Sequence, residues 1–477
     1  MAIFLNQEVK MSTKERDSKY DAIVIGSGQG GTPLATYLAE QGMETALIEK
    51  EHVGGTCVNE GCTPTKTMIA SARVAHVAGR SDDYGVHTGD TQVDLAEVRE
   101  RKRDIVEKFR EGNLKGIKNQ SQLDLIRGTA SFADSREIKI ELESGSSKLV
   151  RAEKIFIDTG ARPAAPPIEG LESVDYLDST SIMELGETPE KLLIIGGGYI
   201  GVEFGQAFRR FGSKVTLFQR SSQLLPHEDE DIAGEIKGIL EEEGVNVKLN
   251  HDVRRVEETE KGKRRLVATG PEGENDHEGT HLLVAAGRAP NTEELNLENT
   301  GVRTTERGYV KVNERLETDQ SGVYALGDVK GGPAFTHISY DDFRILRDNL
   351  FEGGSRNTEN RLVPYTLFTD PQLGRVGLTE KEAREKGYEI KIATMPMSGV
   401  ARALEVDESR GIMKVVVDGE TEEILGAAIL GIEGGEIASA IQIAMMGNLS
   451  YKKLKEGIFA HPTLAESLNN LFSGKLE

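Results

Sequence analysis

Tyr20-Asp21-Ala22-Ile23-Val24-Ile25-Gly26-Ser27-Gly28-Gln29-Gly30-Gly31 decides the fold of this 477-residue chain. The first six residues are a buried-strand pattern, and an apolar helix is expected directly after the glycines, from Pro33 to Glu40. A GxGxxG between strand and helix makes a tight turn, lets a backbone approach a pyrophosphate closely, and aims a helix N-terminus at it. Gly26, Gly28 and Gly31 are therefore candidate dinucleotide ligands. Thr45-Ala46-Leu47-Ile48-Glu49 reads as the next strand, ending on an acid placed to accept hydrogen bonds from an adenosine ribose.

The fingerprint occurs twice. Leu192-Leu193-Ile194-Ile195 leads into Gly196-Gly197-Gly198-Tyr199-Ile200-Gly201 and a helix through Arg210. Gly42 and Gly212 each lie 16 residues after the first glycine of their copy, and Glu49 and Gln219 each lie 23 after it. Gly196, Gly198 and Gly201 are thus a second nucleotide site. Two in-register copies imply two nucleotides. The second ends on Gln219-Arg220 where the first has Glu49. Loss of the carboxylate removes repulsion of a 2′-phosphate, and Arg220 can pair with one. The reading is NADPH in preference to NADH.

Between the copies lies Gly54-Gly55-Thr56-Cys57-Val58-Asn59-Glu60-Gly61-Cys62-Thr63-Pro64-Thr65-Lys66, which holds both cysteines of the chain, five positions apart. So short a loop can bring the two Cα atoms within disulfide range. Residues 67–75 read as a helix with Pro64 in its first turn, where a missing N–H costs nothing. Cys62 at that helix start gains a thiolate-favouring dipole, and Lys66 adds a positive charge one turn on. A bridge over so small a loop constrains the unfolded chain only slightly. A redox-active dithiol is expected instead.

With these motifs in place the chain resembles the flavoprotein disulfide reductases: dihydrolipoamide dehydrogenase, glutathione reductase, mercuric reductase and their relatives. The resemblance covers residues 20–472. It implies that Cys57 is the thiol that attacks substrate and Cys62 the one facing the flavin. Gly55, Thr56 and Lys66 would lie at the flavin, with Glu203 pairing Lys66. Tyr199 would cover the flavin face until nicotinamide enters. Ile155-Phe156-Ile157-Asp158-Thr159-Gly160 resembles the crossover between the two nucleotide domains, with Thr159 and Gly160 at the cofactor. Gly287 closes the second domain. Gly327-Asp328 resembles the second flavin motif, Asp328 holding the ribityl chain. Phe335–Phe343 would start a helix facing the flavin pyrimidine, and its spelling resembles the metal-ion and reactive-chlorine-responsive branch; His337 there is read as a structural or flavin-site residue. His461 and Glu466 resemble the family's acid–base dyad, an imidazole held by a carboxylate. Against NADPH, Gly201 stands where NADPH-preferring glutathione reductases typically have alanine.

Around these motifs the chain divides into a tail at 1–19 with a second possible start at Met11, an FAD domain at 20–165, and an NAD(P)H domain at 166–290. Residues 291–360 complete the FAD domain, and 361–477 form a dimerisation domain. Residues 91–120 read as a charged amphipathic helix. Strands are expected at 365–371, 376–380, 412–417 and 425–430, and helices at 436–446 and 463–472. The fold class is α/β: two Rossmann-like domains plus an α+β C-terminal domain.

A formal net charge of −21 argues against nucleic acid or anionic membrane as partners, and hints at a salt-tolerant source. No apolar run approaches the roughly 18 residues of a membrane span. Nor is there a signal-peptide core, so a cytoplasmic enzyme is expected. No resident metal site is expected. The reading is a homodimeric FAD enzyme that passes electrons from NAD(P)H through Cys57–Cys62 to a small-molecule disulfide. A mercuric or copper ion reductase is the alternative, since the Gly61–Lys66 spelling resembles that branch, and dihydrolipoamide dehydrogenase the third. The C-terminal cysteine pair that delivers Hg(II) in mercuric reductases has no counterpart here.

Overall fold

The computed structural model describes residues 19–474 and Leu476. The tail expected over 1–19, Met11 included, lies outside the described residues except for Lys19, which opens β1 (Lys19–Ile25). That strand runs into Gly26 at φ 101°, a conformation glycine adopts without strain. Helix α1 (Gly31–Glu40) starts two residues before the expected Pro33 and buries Leu34, Ala35, Leu38 and Ala39, a helical stripe. Then come β2 (Thr45–Glu49), the short α2 (Gly55–Asn59), α3 (Cys62–Gly79) and the amphipathic α4 (Leu95–Lys118). A meander follows: β3 (Leu123–Asp134), β4 (Glu137–Leu142) and β5 (Ser147–Ile157), then the short β6 (Ala161–Pro163).

The second copy runs β7 (Lys191–Ile195), α5 (Tyr199–Arg210), β8 (Lys214–Gln219), α6 (Glu230–Glu242) and β9 (Asn246–Leu249). An antiparallel trio, β10 (Asp252–Glu258), β11 (Arg264–Gly270) and β12 (Gly273–Gly279), precedes β13 (His281–Val284) and β14 (Arg288–Pro290). The chain returns through β15 (Val323–Ala325) and α7 (Thr336–Arg347).

The C-terminal region holds β16 (Tyr365–Leu367), β17 (Gln372–Gly377), α8 (Glu380–Glu385), β18 (Ile390–Pro396) and α9 (Ala401–Glu405). It ends with β19 (Ile412–Asp418), β20 (Ile424–Gly431), α10 (Gly434–Met446), α11 (Tyr451–Lys455) and α12 (Ser467–Ser473). Three expectations shift here. The strand at 365–371 stops at Leu367, because Phe368 and Asp370 turn their amides to side chains of α5. The strand expected at 376–380 lies at 372–377, and Thr379 caps α8 instead. The helix expected from 463 starts at Ser467, because the Thr463 hydroxyl bonds Ala460 O and the Glu466 amide and closes a loop.

The chain forms two compact units. One takes the chain up to Gly55, Gly112–Gly160 and Pro290–Thr358; the other takes Thr56–Glu111, Ala161–Ala289 and Glu359–Glu477. In the first, parallel pairings give the order β3-β2-β1-β5-β15, with β4 joining the far halves of β3 and β5. Its sheet is covered by apolar residues on both faces, as a parallel sheet requires. In the second unit β13-β7-β8-β9 are parallel and β16-β17-β20-β19-β18 antiparallel. One buried cluster joins residues of both sheets, and a second lies on the antiparallel sheet.

Candidate active site

At the first turn the Gly26 amide bonds Ile48 O at 2.9 Å, tying the turn to β2. Glu49, buried at the end of β2, accepts the Ser27 amide at 3.0 Å and the Ser27 hydroxyl at 2.6 Å. Gly55 closes on this turn: a Cβ there would stand 2.7 Å from the Gly28 Cα. The N-cap of α1 is Gly30, which puts no side chain over the positive end of the helix and so leaves an anion room to approach it. Thr159 and Gly160 are bound to Asn291 by three hydrogen bonds of 2.7, 2.8 and 3.0 Å. Gly327 lies nearby, its amide 2.9 Å from Asp342 Oδ2. The glycine cradle and the unobstructed helix start fit a bound dinucleotide.

Asp158 went unmarked in the sequence. It is buried, and its Oδ2 accepts the Gly31 amide at 2.7 Å. Burial pushes this carboxyl well above the usual carboxylate range; Asp328, Asp342 and Glu49 push the same way, and the Gly31 amide opposes them. An acid ending an apolar strand just before Thr159-Gly160 was the available signal.

In the second unit, Cys62 opens α3 and is exposed, with Pro64 buried in the first turn; Cys57, on α2, is half-buried. Lys66 Nζ lies 2.8 Å from Glu203 Oε2 and 5.0 Å from the centre of the Phe368 ring. Glu203, 5% exposed, spends its other oxygen on the Phe368 amide at 2.8 Å. Unpairing so buried a carboxylate costs several kcal/mol, on the order of 3–5.

Glu203 belongs to a stripe on α5. Tyr199, Glu203, Gln206 and Arg210 follow at helical spacing, and each meets the 365–370 segment. The Tyr199 ring lies 5.4 Å from that of Tyr365. Gln206 exchanges two 2.8 Å hydrogen bonds with the Asp370 backbone, and Arg210 pairs the Asp370 carboxylate at 2.7 Å. Tyr365 in turn bonds Tyr199 and the buried Glu228. The sequence marked Tyr199 and Glu203 but not their partners, which lie about 165 residues further on and declare themselves only through packing.

At the second turn the Gly196 amide bonds Phe218 O at 2.9 Å, and Gln219 Oε1 accepts the Gly197 amide at 3.0 Å. Gly287 O accepts the Ala164 amide at 3.1 Å. Arg220 is exposed at the end of β8. At the C-terminal end His461 Nδ1 lies 2.9 Å from Glu466 Oε2, with the imidazole exposed. Asp328 and His337 lie in the first unit, at 327–330 and on α7. Among the described residues no group of three or more His, Cys, Asp or Glu could hold a metal ion, and no helix is long and apolar enough to cross a membrane.

Residues 20–342 match the family model described as pyridine nucleotide-disulphide oxidoreductase, and 363–472 match the dimerisation domain of that family. The chain is 39% identical over 460 residues to the probable pyridine nucleotide-disulfide oxidoreductase RclA of Escherichia coli, spanning 96% of this chain and 99% of that protein. A mercuric reductase of Staphylococcus aureus is 38% identical over 95% of this chain and 82% of its own length. A dihydrolipoyl dehydrogenase of Thermus scotoductus is 35% identical over 94% and 96%. Among solved structures, the Cu(II) complex of the HOCl-induced flavoprotein disulfide reductase RclA from E. coli matches with a TM-score of 0.87 at 39% identity, covering 95% of this chain and 99% of that one. The chain belongs to the pyridine nucleotide-disulphide oxidoreductase family, enzymes that depend on FAD and a pyridine nucleotide.

Proposed function

We propose that this chain is a homodimeric FAD enzyme that reduces a low-molecular-weight disulfide with NADPH preferred over NADH, in the cytoplasm. The observation that carries it is the place of the cysteine pair. Gly55 seals the first nucleotide turn, and Cys57 and Cys62 follow two and seven residues later in the chain. FAD held at Gly26, Gly28, Gly31, Glu49, Thr159, Gly160, Gly327 and Asp328 supplies hydride acceptance from the nicotinamide and an electron pair to the cysteines. The domain division of the sequence reading stands as part of this proposal, the cysteine segment 56–111 serving the flavin whichever unit it packs in.

The remaining steps belong to side chains. Cys57 thiolate attacks one substrate sulfur and the first thiol leaves with a proton from His461, whose imidazole Glu466 holds. Cys62 thiolate then attacks Cys57 and expels the second thiol, so one NADPH and one proton yield two thiols from one disulfide. Lys66, fixed by Glu203, sets a positive charge at the start of α3. Tyr199 gates nicotinamide at Gly196, Gly198, Gly201 and Gly287. Arg220 supports the NADPH preference. Gly201 does not weigh against it, because a Cβ there would stand 1.9 Å from Gly196 O, so the turn itself demands glycine. Exposed apolar residues Ile443, Met446 and Ile458 within the dimerisation match support a self-paired chain. In the dimer His461 would serve the cysteines of the partner.

A second reading, reduction of Cu(II) or Hg(II), is supported by the likeness to a Cu(II) complex and to mercuric reductase. Purified protein tested on oxidised thiols, lipoamide, Cu(II) and Hg(II) separates the two. Disulfide turnover that falls at least about a thousandfold in Cys57→Ser, while NADPH still bleaches the flavin, supports the first. Saturable Cu(II) turnover with no disulfide turnover replaces it with the second.

A further inference from the structure

The two flavin-side turns meet at one side chain. Asp158 Oδ2 holds the Gly31 amide at the start of α1, and the same oxygen lies 2.6 Å from where a Cβ on Gly28 would be. Its Oδ1 faces the other turn, 2.5 Å from where a Cβ on Gly327 would be. Both glycine turns are thus closed around a single carboxyl.

The charges around it are mostly of its own sign. Asp328, Asp342 and Glu49 act on it, and all three are acids. Lys330 is the cation at hand, and its Nζ is 3.2 Å from Asp342, already paired. A diphosphate at the glycine turn before α1 would add two more negative charges beside it. An ionised carboxylate buried in that company lacks a counter-charge, and a buried group in that position takes up a proton.

The internal repeat supplies the control. Gly26 packs on the Asp158 carbonyl at 2.3 Å from its virtual Cβ, and Gly196 packs on the Ala285 carbonyl at 2.4 Å in the same way. Asp158 and Ala285 therefore occupy equivalent positions, and the turn closes in the second fold with no carboxyl at all. The acid at 158 is an addition of the first fold.

We propose that Asp158 is a positioning residue of the flavin site that locks the 26–31 turn to the Gly327 turn, and that it does so as an uncharged carboxylic acid. The proposal rests on the first fold holding FAD. As a neutral acid it accepts the Gly31 amide without repelling the diphosphate, and an amide side chain would do the same.

Infrared difference spectra between the parent holoenzyme and Asp158→Asn at neutral pH test the charge. The parent should contribute the carbonyl band of a protonated carboxylic acid; a carboxylate band in its place overturns the neutral form. FAD titration of the apoprotein, read by flavin fluorescence, tests the lock. Asp158→Ala should weaken binding at least about tenfold, the worth of one buried hydrogen bond, and Asp158→Asn should recover it to within about threefold. Asparagine no better than alanine, or alanine as good as the parent, overturns the lock. If the parent itself takes up no FAD, the flavin reading fails instead, while the infrared band still reports on Asp158.

Discussion

The two nucleotide turns of this chain are built alike and furnished differently. In each, the first glycine bonds the carbonyl one residue before the end of the second strand, at 2.9 Å in both copies. In each, the residue closing that strand reaches back to the second residue of the turn: Glu49 to the Ser27 amide at 3.0 Å, Gln219 to the Gly197 amide at 3.0 Å. The backbone therefore asks for an acceptor, not for a charge. Exchanging glutamate for glutamine keeps the turn and changes only what it offers a ligand. The helices differ more. Helix α1 presents Leu34, Ala35, Leu38 and Ala39 to its sheet, while α5 adds a polar stripe that holds residues 365–370.

The largest effect should come from the middle glycine. A Cβ on Gly28 would stand 2.6 Å from Asp158 Oδ2, whereas at Gly198 nothing lies within 4 Å. Gly28→Ala should distort the first turn and weaken FAD binding by roughly 1–3 kcal/mol, about fivefold or more. Gly198→Ala should leave FAD affinity unchanged, any loss appearing only in nicotinamide binding. Fluorescence titration of both apoproteins checks it. Equal losses would mean the turns are not distinguished by Asp158.

That asymmetry also marks how far the sequence could be read. Strand, glycines, helix and terminal acid are local, so both turns, their register and the cysteine pair were legible, as was the partner of Lys66 once the family was recognised. The equivalence of Asp158 and Ala285 was not. The α2–α4 segment between β2 and β3 stretches the first copy to 132 residues between Gly26 and Asp158, against 89 between Gly196 and Ala285, so counting loses register there. The α5 stripe was half legible for a related reason. Its helical spacing is in the sequence, but its partners Tyr365, Phe368 and Asp370 arrive from β16 and the turn that follows it. The late start of α12 answers to side-chain bonds in the 460–466 loop, which no periodicity announces.

The next effect sharpens the Glu49–Gln219 contrast. If the turn tolerates either residue, coenzyme choice falls to charge alone, and Arg220 is the exposed cation beside it. Arg220→Ala should cost the NADPH reaction about 1.5–3 kcal/mol in kcat/KM and leave NADH within about twofold. Gln219→Glu should move preference toward NADH without loss of fold. An equal fall with both coenzymes in Arg220→Ala would remove it from 2′-phosphate recognition.

The smallest effect is a matter of sign. Burial pushes Asp158 in the first unit and His76 in the second toward their neutral forms, and the two respond to pH in opposite directions. Asp158 is raised, so the folded chain holds a proton the unfolded chain has released, and its contribution is lost as pH rises above the ordinary carboxylate range. His76, on α3, is lowered to about 4 by burial first and then by Arg210 and Arg410, with Glu243 and Asp370 opposing. Its Nε2 is buried without a hydrogen-bond partner among the described residues. Above about pH 6.5 the imidazole is neutral in both states and contributes nothing. As pH falls toward 4 the unfolded chain takes up a proton the folded chain refuses, so stability falls through that window. The full shift corresponds to about 3 kcal/mol; with His76 only half-buried and solvent screening the network, about 1–2 is expected. His76→Gln cannot protonate, so denaturant unfolding at pH 5 and 7.5 should show the parent losing about 1–2 kcal/mol more than the variant. All other acid-sensitive groups cancel in that difference. Matching losses would mean that His76 takes up a proton as readily folded as unfolded, and α3 would then gain a third positive charge, beside Lys66 and Arg73, as pH falls below about 6.5.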